Sequence, residues 1–483
     1  MARLKRRRPV VAQPFRAASA GLKPCATLKS ALEIVAVFAF FVASAAAAQR
    51  PPLVDAARSA DKDQVRALVQ QGANVNTGDA DGTTALHWAS YRDDLEIAEL
   101  LIRAGAKVNA ANDLGATPLW TASQNGSATM VRRLLDAGAN PDAPLLSGET
   151  PLMIAARSGS PACVEQLLAK GAQVNAHATR GQTALMWAVA QKHADVVKVL
   201  LAHGVDVHAR SDAWSEVMAV PPHGHLEYNR AIPHGGDTAL MFAARVGDVA
   251  SATLLVAAGA NVNDADAWGV SATAMAAHAG YGELVAFLLE HGADANASAA
   301  GFAALHAAIL RRDEGMVSAL LAHGADANAP LRTWTPTRRS SHDFNFSPEL
   351  VGATPFWLAA RFSEPGVMRL LVEHGADPLF VHHGDHVVEA RGGEAFEHRA
   401  EVTNALMAAT GMGGGTAWVQ LGRAERERLT LEAVALAAEL GVDINAANTD
   451  GRTALDAARA LKYDAVVKLL VEKGARPGTR RKE

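Results

Sequence analysis

Residues 84–90 read TALHWAS, 117–123 TPLWTAS, 150–156 TPLMIAA and 183–189 TALMWAV, each starting 33 residues after the last. A fixed period of that size decides the architecture before any single residue does. The series continues at Thr238 (TALMFAA), Ser271 (SATAMAA), Ala303 (AALHAAI), Thr354 (TPFWLAA), Thr403 (TNALMAA) and Thr453 (TALDAAR), at intervals of 55, 33, 32, 51, 49 and 50 residues. The long intervals are one period plus an insertion. Each opening leads into a leucine-rich stretch such as EIAELLIRAGAKVNA or DVVKVLLAHGVDVHA. Its apolar residues recur at helical spacing and its Gly supplies a C-terminal stop, so two short helices per unit are expected.

The TPLH-like opening, the two Ala, the LL-x-x-GA-D/N-x-N close and the period together resemble ankyrin repeats over about residues 53–477. The resemblance implies an all-α solenoid of about eleven helix-turn-helix units with short hairpin-like finger loops, one continuous array. The residue chemistry agrees. Thr at the opening can cap the first helix, Pro118, Pro151 and Pro355 suit its first turn, and the small Ala pair permits close helix contact. One unit cannot bury its own apolar face, so neighbours share a core and the end units must differ. The first lacks the opening, and the last runs into GTRRKE. Three openings depart from the pattern: Thr273 replaces the usual Leu, Ala303 lacks the capping hydroxyl, and the Leu after Thr403 comes one residue late. Weaker or shifted stacking is expected there.

Composition fits this reading. Of 483 residues, 49% are hydrophobic but only 5% aromatic, and about a fifth are Ala. That is too apolar for a disordered chain and suits short helices packed closely. The two cysteines, Cys25 and Cys163, cannot build a disulfide scaffold.

The amino terminus reads as an address. Residues 34–48, IVAVFAFFVASAAAA, have the length of a signal-peptide core and end in Ala46-Ala47-Ala48. A positive region precedes them, unusually long, which a true start further downstream would explain. The arginines at 6–8 lie too far from the apolar run for a twin-arginine signal. Cleavage after Ala48 into the periplasm or medium is expected; the alternative is an uncleaved anchor holding a scaffold at a membrane. Cleavage removes eight bases and one acid from totals of 46 and 50, leaving 38 against 49 and a net charge of −11. A field of that sign disfavours nucleic acid.

The expected segments are therefore leader 1–48, repeats 53–208, finger insertion 209–236, repeats 237–329, finger insertion 330–352, repeat 353–378, a His-containing insertion 379–401, a repeat with an inter-helix insertion 402–450, a capping repeat 451–477 and a basic tail 478–483. The finger insertions collect aromatics that the helices lack: Trp214, Tyr228, Trp334, Phe344 and Phe346. Exposed, they are interface anchors; folded back, they plug a loop onto the stack. The resemblance adds contact positions at the end of each first helix, here Tyr91, Arg92, Arg157, Arg245, Arg361 and Phe362. The recurrent Arg suits an acidic or aromatic partner surface, or is simply common in the family. Trp88, Ile154, Trp187, Phe242 and Leu358, one step earlier, are read as packing between units.

The third insertion holds His382, His383, Asp385 and His386, residue types that bind zinc or copper, and a metal- or small-ligand-binding protein is the competing reading. No helical spacing makes them converge, and with 18 His in the chain a chance cluster explains them too. Glycines 413–415 lack the Lys-Ser/Thr of a phosphate loop and read as a flexible linker. No hydrolase, metalloprotease or dinucleotide motif is found. The expectation is a monomeric, non-enzymatic module without cofactor that binds a protein partner.

Overall fold

The computed structural model describes residues 50–219, 229–335, 346–389, 396–415 and 418–479. The leader lies outside them, as do Tyr228 and Phe344. Among the described residues no helix is long and apolar enough to cross a membrane.

Eleven helix pairs follow one another. They begin with Pro52–Ser59 and Lys62–Gln70, then Ala85–Arg92 and Leu95–Arg103, and end with Ala454–Leu461 and Asp464–Glu472. First helices pack on first helices of adjacent units, and second on second. Local chemistry starts each helix as the sequence suggests. Thr117, Thr150, Thr183 and Ser271 accept from the backbone N–H three residues on, and Asp61, Asp94, Ser127, Ser160, Asp248 and Asp313 do the same for second helices. The shared core is built from equivalent positions: Leu86, Leu119, Leu152, Leu185 and Leu240 of the openings, and Leu101, Leu134, Leu167 and Leu200 of the second helices, are all buried. Cys163 is buried among them. The fold is an all-α repeat solenoid.

The three irregular openings resolve differently. At Ala303 the missing hydroxyl is replaced by His306, whose Nδ1 accepts from the Ala303 N–H at 3.0 Å while Nε2 lies 3.0 Å from the Ala329 carbonyl. In unit ten the cap has moved one residue: Asn404 accepts from the Met407 N–H at 3.0 Å, which restores the register of its late Leu. Thr273 is buried with no hydrogen-bond partner for its hydroxyl, so here the departure leaves a cost.

An amide ladder ties the loops together. In successive units one Asn or Asp side chain accepts the N–H of the residue two before its counterpart in the next: Asn76 from Lys107, Asn109 from Asn140, Asp142 from Gln173 and Asn175 from Asp206, at 2.7–2.8 Å. The ladder runs again from Asn263 through Asn296 and Asn328 to Asp377, and from Asn445 to Arg476. It stops at His208 and at Leu379, each immediately before a finger. At the first gap Arg210 takes over, donating to the Gly236 and Ala265 carbonyls at 2.8 Å and pairing with Asp264 at 2.7 Å.

Two antiparallel hairpins project. β1 (Trp214–Ala219) pairs with β2 (Asn229–His234), and β3 (His382–Glu389) with β4 (Phe396–Thr403). The second finger insertion instead folds back: Thr335 donates its N–H to the Phe346 carbonyl at 2.9 Å, its hydroxyl accepts from the Phe346 N–H at 2.8 Å, and Phe346 is fully buried.

Candidate protein-binding groove

Two adjoining cavities open along the first helices of units four to seven, about 270 Å³ beside Trp187 and about 730 Å³ beside Trp214, with Gln182 and Phe242 lining both. β1 emerges next to unit six and sets Trp214 on the larger cavity, where its ring stacks on His234 with centroids 4.5 Å apart. Trp268 enters from a turn held by Asp266, whose Oδ1 accepts from the Trp268 N–H at 2.9 Å and the Val270 N–H at 2.8 Å. Burial, with Asp237 nearby, pushes the Asp266 carboxyl up to about 6 against these hydrogen bonds.

Arginines alternate with these rings. Arg157 lies 4.9 Å from the centre of the Trp187 ring and Arg180 lies 4.5 Å from that of Trp214, distances at which a guanidinium is attracted to the ring face. Arg245 sits over Phe242 at 5.6 Å and pairs with Asp237 at 3.0 Å. Arg311 donates to the His278 carbonyl.

Of the contact positions expected from sequence, Arg157, Arg245 and Trp214 are therefore brought together. Tyr91 and Arg92 stay exposed at unit two, outside the groove, with Tyr91 edge-on to Trp88 at 5.8 Å. Trp334 is half-buried and packs on Val387. Two positions are corrected, and Phe346 takes the folded-back alternative. Phe346 and Phe362 are buried, so neither is an exposed anchor. Arg361 is taken up internally, donating to the Gly414 and Gly415 carbonyls at 2.6 and 3.0 Å, and burial pulls its guanidinium down to about 10.

That contact also revises the linker reading of the glycines. Gly413, Gly414 and Gly415 have left-handed φ and lie against Trp357, Glu349 and Leu350, where a Cβ would meet heavy atoms at 2.4–2.7 Å. They form a fitted strap, which only glycine can make. Beyond it Trp418 packs on Phe346 at 5.4 Å and on His278 at 4.9 Å. Phe346 in turn packs on Phe302 and Phe302 on Trp268, so an aromatic chain borders the groove at unit seven.

The histidines of the third insertion do not converge. Strand alternation puts His382 and His386 on one face of β3 and His383 and Asp385 on the other. His382 is buried against Trp357, with Nε2 2.9 Å from the Val351 carbonyl. Asp385 lies 3.3 Å from His398, and His386 stands 4.0 Å from Glu349. Among the described residues, no three His, Cys, Asp or Glu side chains gather as a metal site would require.

Trp187 and Phe242, read as packing residues, are half-buried groove walls. Arg180, Trp268 and Arg311 were missed. The signal for the first two was available, since each immediately precedes the turn glycine of its unit, the place held by Asp81, Leu114 and Ser147 elsewhere. Arg180 is moreover the one described non-glycine residue with positive φ, +67°, that does not lie at the end of a first helix.

The profile for three ankyrin repeats matches residues 53–144, 119–211 and 240–330, and that for a single ankyrin repeat matches 351–383. No curated protein matches. Among solved structures, the crystal structure of the human ASB11 ankyrin repeat domain is similar at 30% identity with a TM-score of 0.42, covering 51% of this chain and 99% of that one. With its repeats matched over more than half its length, the chain belongs to the ankyrin-repeat family.

Proposed function

We propose that the protein is a non-enzymatic binding module that works outside the cytoplasm and holds a segment of a partner protein in the groove between Trp187 and His278. Ankyrin repeats indicate a protein-interaction scaffold. The observation that carries the finer reading is the pair of adjoining cavities, walled by half-buried aromatics and flanked by the β1–β2 finger. Half-exposed Trp and Arg side chains on a preformed surface are what partner recognition uses, because little ordering entropy remains to be lost on binding. Export rests on the apolar run ending at Ala48.

The test is site-specific photocrosslinking in the native host, with the photoreactive residue placed at Trp214, at Phe242 and, as a control, at Leu146 on the exposed turn of unit four. Adducts with one protein from the first two sites and not the third support the groove. Adducts from Leu146 alone would move the contact elsewhere. Sequencing the mature N-terminus checks export: Gln49 as first residue agrees with cleavage, and Met1 retained in a membrane fraction means an anchored scaffold.

A further inference from the structure

The groove's charges are not balanced, although the chain as a whole is acidic. Four guanidinium groups line it, from Arg157, Arg180, Arg245 and Arg311. Three carboxylates face them. Asp237 is already paired with Arg245. Asp266 is committed to its own turn through the N–H groups of Trp268 and Val270, and its carboxyl titrates near 6. Only Asp212, exposed beside Gly181, stands uncommitted. Arg157 and Arg180 have no carboxylate partner among the described residues, and each is spread over an indole.

A guanidinium stacked on a ring keeps its in-plane N–H edge for an acceptor, and that edge matches a carboxylate with two parallel hydrogen bonds. The ring fixes the fork beforehand, which lowers the entropy lost on binding. Arg180 is further set by backbone strain: a non-glycine residue at φ +67° is maintained at a cost, and such outliers concentrate at ligand clamps. Its guanidinium and that of Arg157 stand on the two adjoining cavities, and Gln182 and Phe242 line both. An extended chain laid along the first helices therefore meets both cations and a shared apolar wall.

On the reading of the groove as a partner site, we infer that the segment it selects is a short acidic peptide, with carboxylates on Arg157 and Arg180 and an apolar side chain against Phe242. The segment is short because the chain's net charge, −4 in full and −11 without the leader, repels an extensively acidic partner at long range. A single nucleic-acid strand, which also uses arginines and rings, is disfavoured because its charge repeats at every nucleotide and meets the chain's acidic field as an extensively acidic partner would.

The experiment is selection of random 12-residue peptides displayed on phage against the purified chain, with affinities of the enriched sequences measured by fluorescence anisotropy. Net-negative peptides are expected to dominate. Their affinity should fall at least tenfold in R157E/R180E, whose exposed side chains leave a single cooperative melting transition, and stay within twofold in R92E. Enrichment of neutral or basic peptides that W214A releases would overturn the acidic selection while leaving the groove as a protein site. Affinity insensitive to R157E/R180E also overturns it. If nothing is enriched, both readings fall, and so does the acidic selection if oligodeoxythymidine binds more tightly than the peptides.

Discussion

Trp418 meets the ring of His278 edge-on, with centroids 4.9 Å apart and planes at 80°, although one residue belongs to the insertion in unit ten and the other ends the first helix of unit seven. The strap thus crosses units eight and nine and finishes at the border of the groove. Its anchor makes a direct prediction. W418A removes the aromatic contact to Phe346 and His278, worth about 0.5–1.5 kcal/mol beyond burial. Hydrogen exchange of residues 411–415 should accelerate, while the second helices of units two to four keep their protection.

Arg210 bridges the first gap in the amide ladder, beside the Ser211–Asp237 backbone hydrogen bond. R210A is expected to lower overall stability by about 1.5–3 kcal/mol, the range for hydrogen bonds to a charged group. Chemical denaturation should also lose cooperativity, separating into two transitions as coupling between units five and six weakens. A single transition of unchanged slope would show that helix packing carries the coupling.

Burial holds His306 down to about 4 from its ordinary 6.5, so the folded chain resists a proton that the unfolded chain accepts. Stability from this group is full above pH 6.5 and is lost as pH falls towards 4, on the order of 3 kcal/mol in total. Denaturation of wild type and H306Q at pH 7 and pH 4.5 checks this. The variant should be less stable at pH 7 and show less acid sensitivity over that window.

Glu364 works in the opposite sense. Burial raises its carboxyl to about 8, against the pull of Arg312 at 3.8 Å. The folded state keeps a proton that the unfolded state sheds above about 4.5, so stability from this group declines as pH rises from there to 8. E364Q retains the neutral shape, and Arg312 still donates to the carbonyls of Phe362 and Ser363. The variant's melting temperature should gain on wild type steadily between pH 5 and pH 8.

Thr273 carries a buried hydroxyl without a partner. T273V keeps the shape and removes that group, and should stabilise the protein by about 1 kcal/mol. The check is the shift in urea midpoint at constant slope.

The period and the LL-GA-N close made the eleven helix pairs readable, because each unit states the same capping, packing and stop signals again. Moved caps were harder: nothing in the unit-ten opening says that Asn404 replaces Thr403 until the helix is seen to start there. The groove was legible by half. Arg157 and Arg245 fell on a repeated position, but the ring each arginine covers often comes from another unit or a finger, as Trp187 does for Arg157. No window along the sequence holds such a pair, so the alternation of cations and rings was invisible. Arg361 was misread for the same reason, and the two readings of Phe346 could not be separated, since their partners are long-range: the Gly414 and Gly415 carbonyls for the first, Phe302 and Trp418 for the second.

The two gaps in the ladder have a mechanical consequence. Load applied along the array is carried by amide rungs within each run of units, and at His208 and Leu379 it passes to other contacts: Arg210 at the first, and the Ser363–Thr430 and Trp357–Thr403 hydrogen bonds at the second. These are the compliant joints of an otherwise stiff spring. A finger stands beside each, so displacing a hairpin acts as a lever on the joint and converts a local touch into a bend between whole runs of repeats.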